Sequence, residues 1–97
     1  MSSSKVSREL VVTNKDGMNA RASCSVCLLA RRFNCSIEVV KSPIRANAKD
    51  VLQLLSLGAC EGTQLILEAE GEQAEAAIAA LEKLFADENF GRFAEIN

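Results

Sequence analysis

Apolar residues fall along this chain in two rhythms, one alternating and one helical, and their succession lays out seven elements. Leu10, Val11 and Val12 form a short apolar run that reads as a first strand over Arg8 to Thr13. The polar stretch Asn14-Lys15-Asp16-Gly17 that follows is a loop. Val26, Cys27, Ala30 and Phe33 then recur at helical spacing and predict a helix over Ala20 to Phe33, with Asn19 in the N-cap position. Ile37 and Val39 share one face of a second strand, Ser36 to Lys41, and Ser42-Pro43 turns it into a third, Ile44 to Ala48.

Asp50 opens a short second helix through Val51, Leu52, Leu54 and Leu55, and Gly58 is placed to stop it. Thr63 to Glu70 reads as a fourth strand. Gln73 to Ala86 carries the clearest helical stripe, made of Ala74, Ala77, Ile78, Leu81 and Phe85, with Glu72 and Glu75 near its positive N-terminal end. The order β-α-β-β-α-β-α with short strands predicts an α+β domain, a four-stranded antiparallel sheet with three helices on one face. Periodicity gives these elements but not the order of strands within the sheet.

Length and charge narrow the function classes. Ninety-seven residues make one domain, expected to span 1–97. With 11 basic and 13 acidic residues and neither Trp nor Tyr, the chain lacks the basic footprint and aromatic platform of a nucleic-acid binder. No apolar stretch reaches the roughly 18–20 residues of a membrane span, and Met1-Ser2-Ser3-Ser4-Lys5 lacks a leader's apolar core. The expectation is a soluble cytoplasmic protein with no nucleic-acid or membrane partner. A total absence of histidine excludes a Ser-His-Asp or Cys-His pair, and no phosphate-binding glycine loop is present.

The four cysteines are Cys24, Cys27, Cys35 and Cys60. Cys24 and Cys27 have the C-x-x-C spacing of a zinc or redox module, but they fall inside a helix and the other two are not paired. Read as small apolar residues, Cys27 continues the buried face of the first helix and Cys24 is more exposed. On that reading no metal and no cofactor is expected.

Three segments carry a family resemblance: Gly17-Met18-Asn19-Ala20-Arg21, then Ala48 through Ser56-Leu57-Gly58, then Glu61-Gly62-Thr63. From about Val11 to about Ala86 the chain resembles the histidine-containing phosphocarrier proteins (HPr) of the bacterial sugar phosphotransferase system. The resemblance implies that Asn19 stands where the family has its phosphoacceptor histidine. It also implies that Asn19, Ala20 and Arg21 form the phosphate cradle, with Ala22 in place of a proline. Asp50 matches the serine that a regulatory kinase phosphorylates in part of the family. The implied docking surface contains Ala20, Leu28, Arg31, Val51, Leu52 and Leu55.

An asparagine is a poor phosphoacceptor, because its amide nitrogen lone pair is delocalised into the carbonyl, whereas imidazole keeps a free ring nitrogen near neutral pH. Asparagine and aspartate are good N-caps, so Asn19 and Asp50 also read as helix caps. The first reading is a family member that carries no phosphate on the usual residue and docks on partners as a regulator. Those partners would be enzyme I, sugar-specific components or a carbon-control regulator. The alternatives are a true phosphocarrier with an altered active-site residue and, from another class, a cysteine-based metal or redox module. A monomer is expected. Asp87 to Asn97 extend past the resemblance, and their Phe90, Phe93 and Ile96 are expected to fold over an apolar edge.

Overall fold

In a computed structural model, residues 5–87 are described. They form β1 (Lys5–Val11), α1 (Ala20–Ala30), β2 (Ser36–Lys41), β3 (Ile44–Asn47), α2 (Val51–Ser56), β4 (Gln64–Glu70) and α3 (Ala74–Ala86). The four strands make one sheet in the order β1-β4-β2-β3, every neighbouring pair antiparallel. This is the α+β open-faced sandwich expected from the sequence. Phe90, Phe93 and Ile96 lie outside the described residues.

Alternation within the strands decides which face is covered. Leu65, Leu67 and Ala69 of β4 are buried, as are Ile37 and Val39 of β2 and Ala46 of β3, and all three helices lie against that face or against each other. From the helices, Val26, Cys27 and Ala30 of α1, Leu54 of α2, and Ala77, Ile78, Leu81 and Phe85 of α3 complete the core. The other face is mostly polar. There the Arg45 guanidinium reaches the carboxylates of Glu38 and Glu68, each at 2.7 Å.

Six boundaries differ from the sequence reading; two are small, the first strand ending at Val11 rather than Thr13 and the fourth starting at Gln64 rather than Thr63. The first strand begins at Lys5, because β4 templates its full length from Lys5↔Glu70 to Val11↔Gln64. Arg8 interrupts the apolar rhythm there, and its guanidinium leaves the face to meet Glu82 of α3 at 3.6 Å. Helix α1 stops at Ala30 rather than Phe33. The N–H groups of Arg32 and Phe33 turn back to the carbonyls of Leu29 and Ala30, three residues earlier, and the chain tightens out of the helix. Phe33 still packs against the core from that turn. The third strand ends at Asn47, although the Ala48 N–H still reaches the Ile37 carbonyl at 2.9 Å. Gln73 precedes α3 instead of opening it, because its side-chain oxygen accepts the Asn34 N–H at 2.6 Å.

Candidate functional site at the N-termini of two helices

The loop before α1 is held in place by glycine and by a segment distant in sequence. Gly17 has φ +64°, and a Cβ there would lie 2.5 Å from the Ala59 carbonyl oxygen. The Ala59 oxygen accepts the Met18 N–H at 2.9 Å, and Met18 buries its side chain in the core. The Asn14 side chain donates to the Gly17 carbonyl at 2.8 Å. Asn19 therefore emerges from a fixed loop, in extended conformation, on the last residue before the helix.

Asn19 is an N-cap by geometry. Its Oδ1 accepts the Ala22 N–H at 2.8 Å, and its carbonyl accepts the Ser23 N–H at 2.8 Å. Asn19, Ala20 and Arg21 are all exposed, while Ala22 and Ser23 are buried behind them. The exposed end of α1 combines a neutral carboxamide, a positive helix end and a guanidinium, an arrangement suited to anionic groups.

Asp50 repeats the device at α2. Its Oδ1 accepts the Gln53 N–H at 3.2 Å, and Oδ2 accepts the Gln53 side-chain amide at 3.3 Å. Gln53 in turn accepts the Asn47 N–H at 2.9 Å through Oε1. The sequence reading missed Gln53. The signal was present, because an N-cap acid with Gln three residues on is a variant of the capping box.

The leucines of α2 separate cleanly. Leu54 and, just beyond, Leu57 are core, whereas Leu52 is 77% exposed and Val51 and Leu55 lie half-buried at the margin. Leu28 on the neighbouring α1 is 39% exposed. Ala20, Leu28, Arg31 and Leu52 thus reach solvent, with Val51 and Leu55 beside them. Arg31 also holds the fold together, since its guanidinium donates to the Lys49 carbonyl at 3.2 Å and 3.4 Å. The Lys49 ammonium donates to the carbonyls of Phe33 and Cys35 at 2.9 Å and 2.8 Å. These bonds tie the end of α1 to the start of α2, a link that no local pattern announces.

Cys27 is buried in the core and Cys24 is half-exposed, as the helical spacing implied. Burial pushes the Cys35 thiol up against the opposing pull of Lys49, which keeps it from reactive thiolate character. Among the described residues no three His, Cys, Asp or Glu side chains converge as metal ligands would. Among them, too, no helix is long and apolar enough to cross a membrane.

Comparison with known proteins places this geometry. The family described as the PTS HPr component phosphorylation site matches residues 6–87. The phosphocarrier protein HPr of Treponema pallidum is 36% identical over 74 residues, 76% of this chain and 84% of that one. The phosphocarrier protein NPr of Shewanella violacea is 35% identical over 77 residues, 79% of this chain and 85% of the relative. A crystal structure of HPr from Thermoanaerobacter tengcongensis superposes with a TM-score of 0.84 at 34% identity, covering 89% of this chain and 96% of that one. Strand order, helix placement and sequence agree with one another, and the chain belongs to the HPr family of phosphocarrier proteins of the phosphotransferase system.

Proposed function

We propose that this chain is an HPr-family protein that carries no phosphate on an imidazole and acts by docking on partners of the phosphotransferase system. In this reading Asn19 stands at the phosphohistidine position and Asp50 at the regulatory serine position. The observation that carries it is the Asn19 cap in a chain without histidine: the carboxamide oxygen holds the Ala22 N–H at 2.8 Å. A phosphoryl group at a helix N-terminus is stabilised by such N–H groups and by the helix dipole. Here a neutral oxygen of the chain itself takes one of them, and the amide nitrogen beside it is not a nucleophile.

Asp50 supports the same reading from the second helix. Its carboxylate brings a permanent negative charge to α2, smaller than the roughly −1.5 to −2 of a phosphoserine. It is already engaged by Gln53. The docking surface comprises Ala20, Arg21, Leu28, Arg31, Val51, Leu52 and Leu55. Its partners are enzyme I, a sugar-specific component or a carbon-control regulator, engaged by a monomeric, cytoplasmic protein whose single domain spans 1–97.

The test is phosphoryl transfer from phosphoenolpyruvate through active enzyme I, read by intact mass on the native chain and on Asn19→His. One phosphate gained by the variant alone is the expected result, and it means that the docking surface and the Arg21 cradle remain competent. Uptake by the native chain overturns the reading in favour of a true carrier with another acceptor. Uptake by neither removes enzyme I from the partners.

A further inference from the structure

Helix α2 is six residues long, and isolated helices shorter than about 12–15 residues are marginal in water. Within it only Leu54 is fully buried. The place of α2, and with it that of the exposed Leu52, therefore depends on polar bonds to other segments. At its far end the Lys41 ammonium donates to the Leu57 carbonyl at 3.0 Å. At its near end the bonds converge on Lys49.

Lys49 is bonded through its backbone and through its side chain. Its N–H donates to Asn47 Oδ1 at 2.9 Å, and its carbonyl accepts both bonds of the Arg31 guanidinium. Its ammonium donates to the carbonyls of Phe33 and Cys35. The last turn of α1 carries no basic residue of its own. A cation near a helix C-terminus is favourable, and Lys49 supplies one from sixteen residues beyond Phe33. Asn34, between the two carbonyls, ties the same segment to α3. Its N–H donates to Gln73 at 2.6 Å and its side chain to Glu72 at 3.1 Å. One short segment thus joins three helices, and its bonds toward α2 run from cations to backbone carbonyls.

We infer, on the docking reading of this face, that Lys49 is a positioning residue whose ammonium sets where α2 lies against α1, and so where Leu52 stands relative to Leu28. Arg31 carries the other half of the latch. Lys49 holds the segment that follows Arg31, and Arg31 holds the backbone of Lys49. Each set of bonds fixes the backbone from which the other is made, so the two break together. The Asn34 bonds to α3 do not pass through Lys49 and survive its loss. Lys49 acts here without touching a partner, by holding in place the side chains that do.

The test is NMR on the full chain, with residual dipolar couplings of the backbone amides giving the orientation of each element. Lys49→Met keeps an unbranched apolar stem and removes the charge and its donors. In this variant the α2 couplings should no longer fit the native orientation, while those of the sheet and α3 still do. Arg31→Met should displace α2 in the same sense, and the double variant no further, because either loss opens the same latch. Lys49→Arg keeps a cation with N–H donors and should keep the native couplings. With enzyme I as the probe, Lys49→Met should bind about ten-fold more weakly, as expected when the docking arrangement is populated about a tenth of the time. Native α2 couplings in Lys49→Met overturn the inference, and so does a change spread over the sheet, which would make Lys49 a support of the whole fold. Displacement of α2 in Lys49→Arg, effects of the single variants that add in the double, or native-like affinity of Lys49→Met for enzyme I overturn it as well. Should Lys49→Met fail to fold, Arg31→Met decides by the same couplings. Failure of the native chain to bind enzyme I would strike the docking reading alone, since the couplings are read without a partner.

Discussion

Gly17 gives the sharpest test of how the site loop is built, because Gly58 provides a matched control. Their φ angles are +64° and +61°, so an alanine at either meets the same left-handed backbone penalty, about 1–2 kcal/mol. The unfolded chain loses the same freedom in both replacements. The surroundings differ. At Gly58 an added Cβ meets nothing within 4 Å, whereas at Gly17 it comes 2.5 Å from the Ala59 oxygen and 2.8 Å from the Cys60 Cα. Both obstacles are backbone, which no rotamer change can move. The loop must withdraw by the better part of an ångström, and the Met18 N–H to Ala59 bond stretches with it. Losing that bond costs about 1 kcal/mol, and overpacking adds ~1–3 kcal/mol. Gly17→Ala should therefore be less stable than Gly58→Ala by about 2–4 kcal/mol, a gap in Tm on the order of 10–25 °C for a domain of this size. With no Trp or Tyr in the chain, far-UV circular dichroism during urea or thermal unfolding is the suitable signal. Equal stability of the two variants within about 0.5 kcal/mol would refute the claim that Ala59 fixes the loop.

Asn19→Ala should lower stability by ~1 kcal/mol while Asn19→Asp retains the cap; urea midpoints compare them, and an unchanged Ala variant would show that the Ala22 bond does not form in solution. Leu54→Ala should cost ~2–5 kcal/mol and Leu52→Ala within about ±0.5 kcal/mol, since only the first is core; a reversal of that order by the same assay would contradict the orientation of α2. Arg45 holds the Glu68 carboxyl below its ordinary value of 4.5, chiefly by hydrogen bonding. A lowered folded-state value stabilises the fold above 4.5 and loses that contribution as pH falls through the folded value. Urea midpoints of Glu68→Gln should fall less between pH 6 and pH 3 than those of the native chain, by a small margin because the Arg45 side chain is half-exposed and solvent screens the pair.

All seven elements are legible in the sequence, most from an apolar rhythm of their own and α2 from the Asp50 that opens it and the Gly58 placed to stop it. The stripe from Ala74 to Phe85 and the pair Ile37 and Val39 identify their elements without help from the rest of the chain. What stays hidden is set by contacts between distant segments. No local pattern in Lys5-Val6-Ser7 announces a strand; β4 makes it one. Nothing in Arg31-Arg32-Phe33 ends a helix by itself, but Lys49, sixteen residues on from Phe33, takes the Phe33 carbonyl. At the candidate site the caps Asn19 and Asp50 are readable from residue type and position. The division of the α2 leucines is not, because a six-residue helix is too short for a stripe to declare its inward side.

The two capped helix ends belong to one rigid unit, and this follows from three sets of bonds that cross between segments. Ala59, just past α2, holds Met18 before α1. Arg31 at the end of α1 holds the Lys49 carbonyl before α2, while Lys49 holds the carbonyls of Phe33 and Cys35 after α1. Gln53 inside α2 holds Asn47 at the end of β3. Each bond closes a loop that would otherwise move independently, so Asn19, Asp50, Leu28 and Leu52 keep fixed positions relative to the sheet. On the proposed reading, a surface held in this way would meet a partner without first ordering its own loops, which would remove an entropic cost from association. Changing the residue at a cap alters the chemistry offered at the surface, but the bonds that set its shape come from Met18, Arg31, Lys49 and Gln53. The shape of this surface is therefore set by bonds that do not depend on the side chain of residue 19.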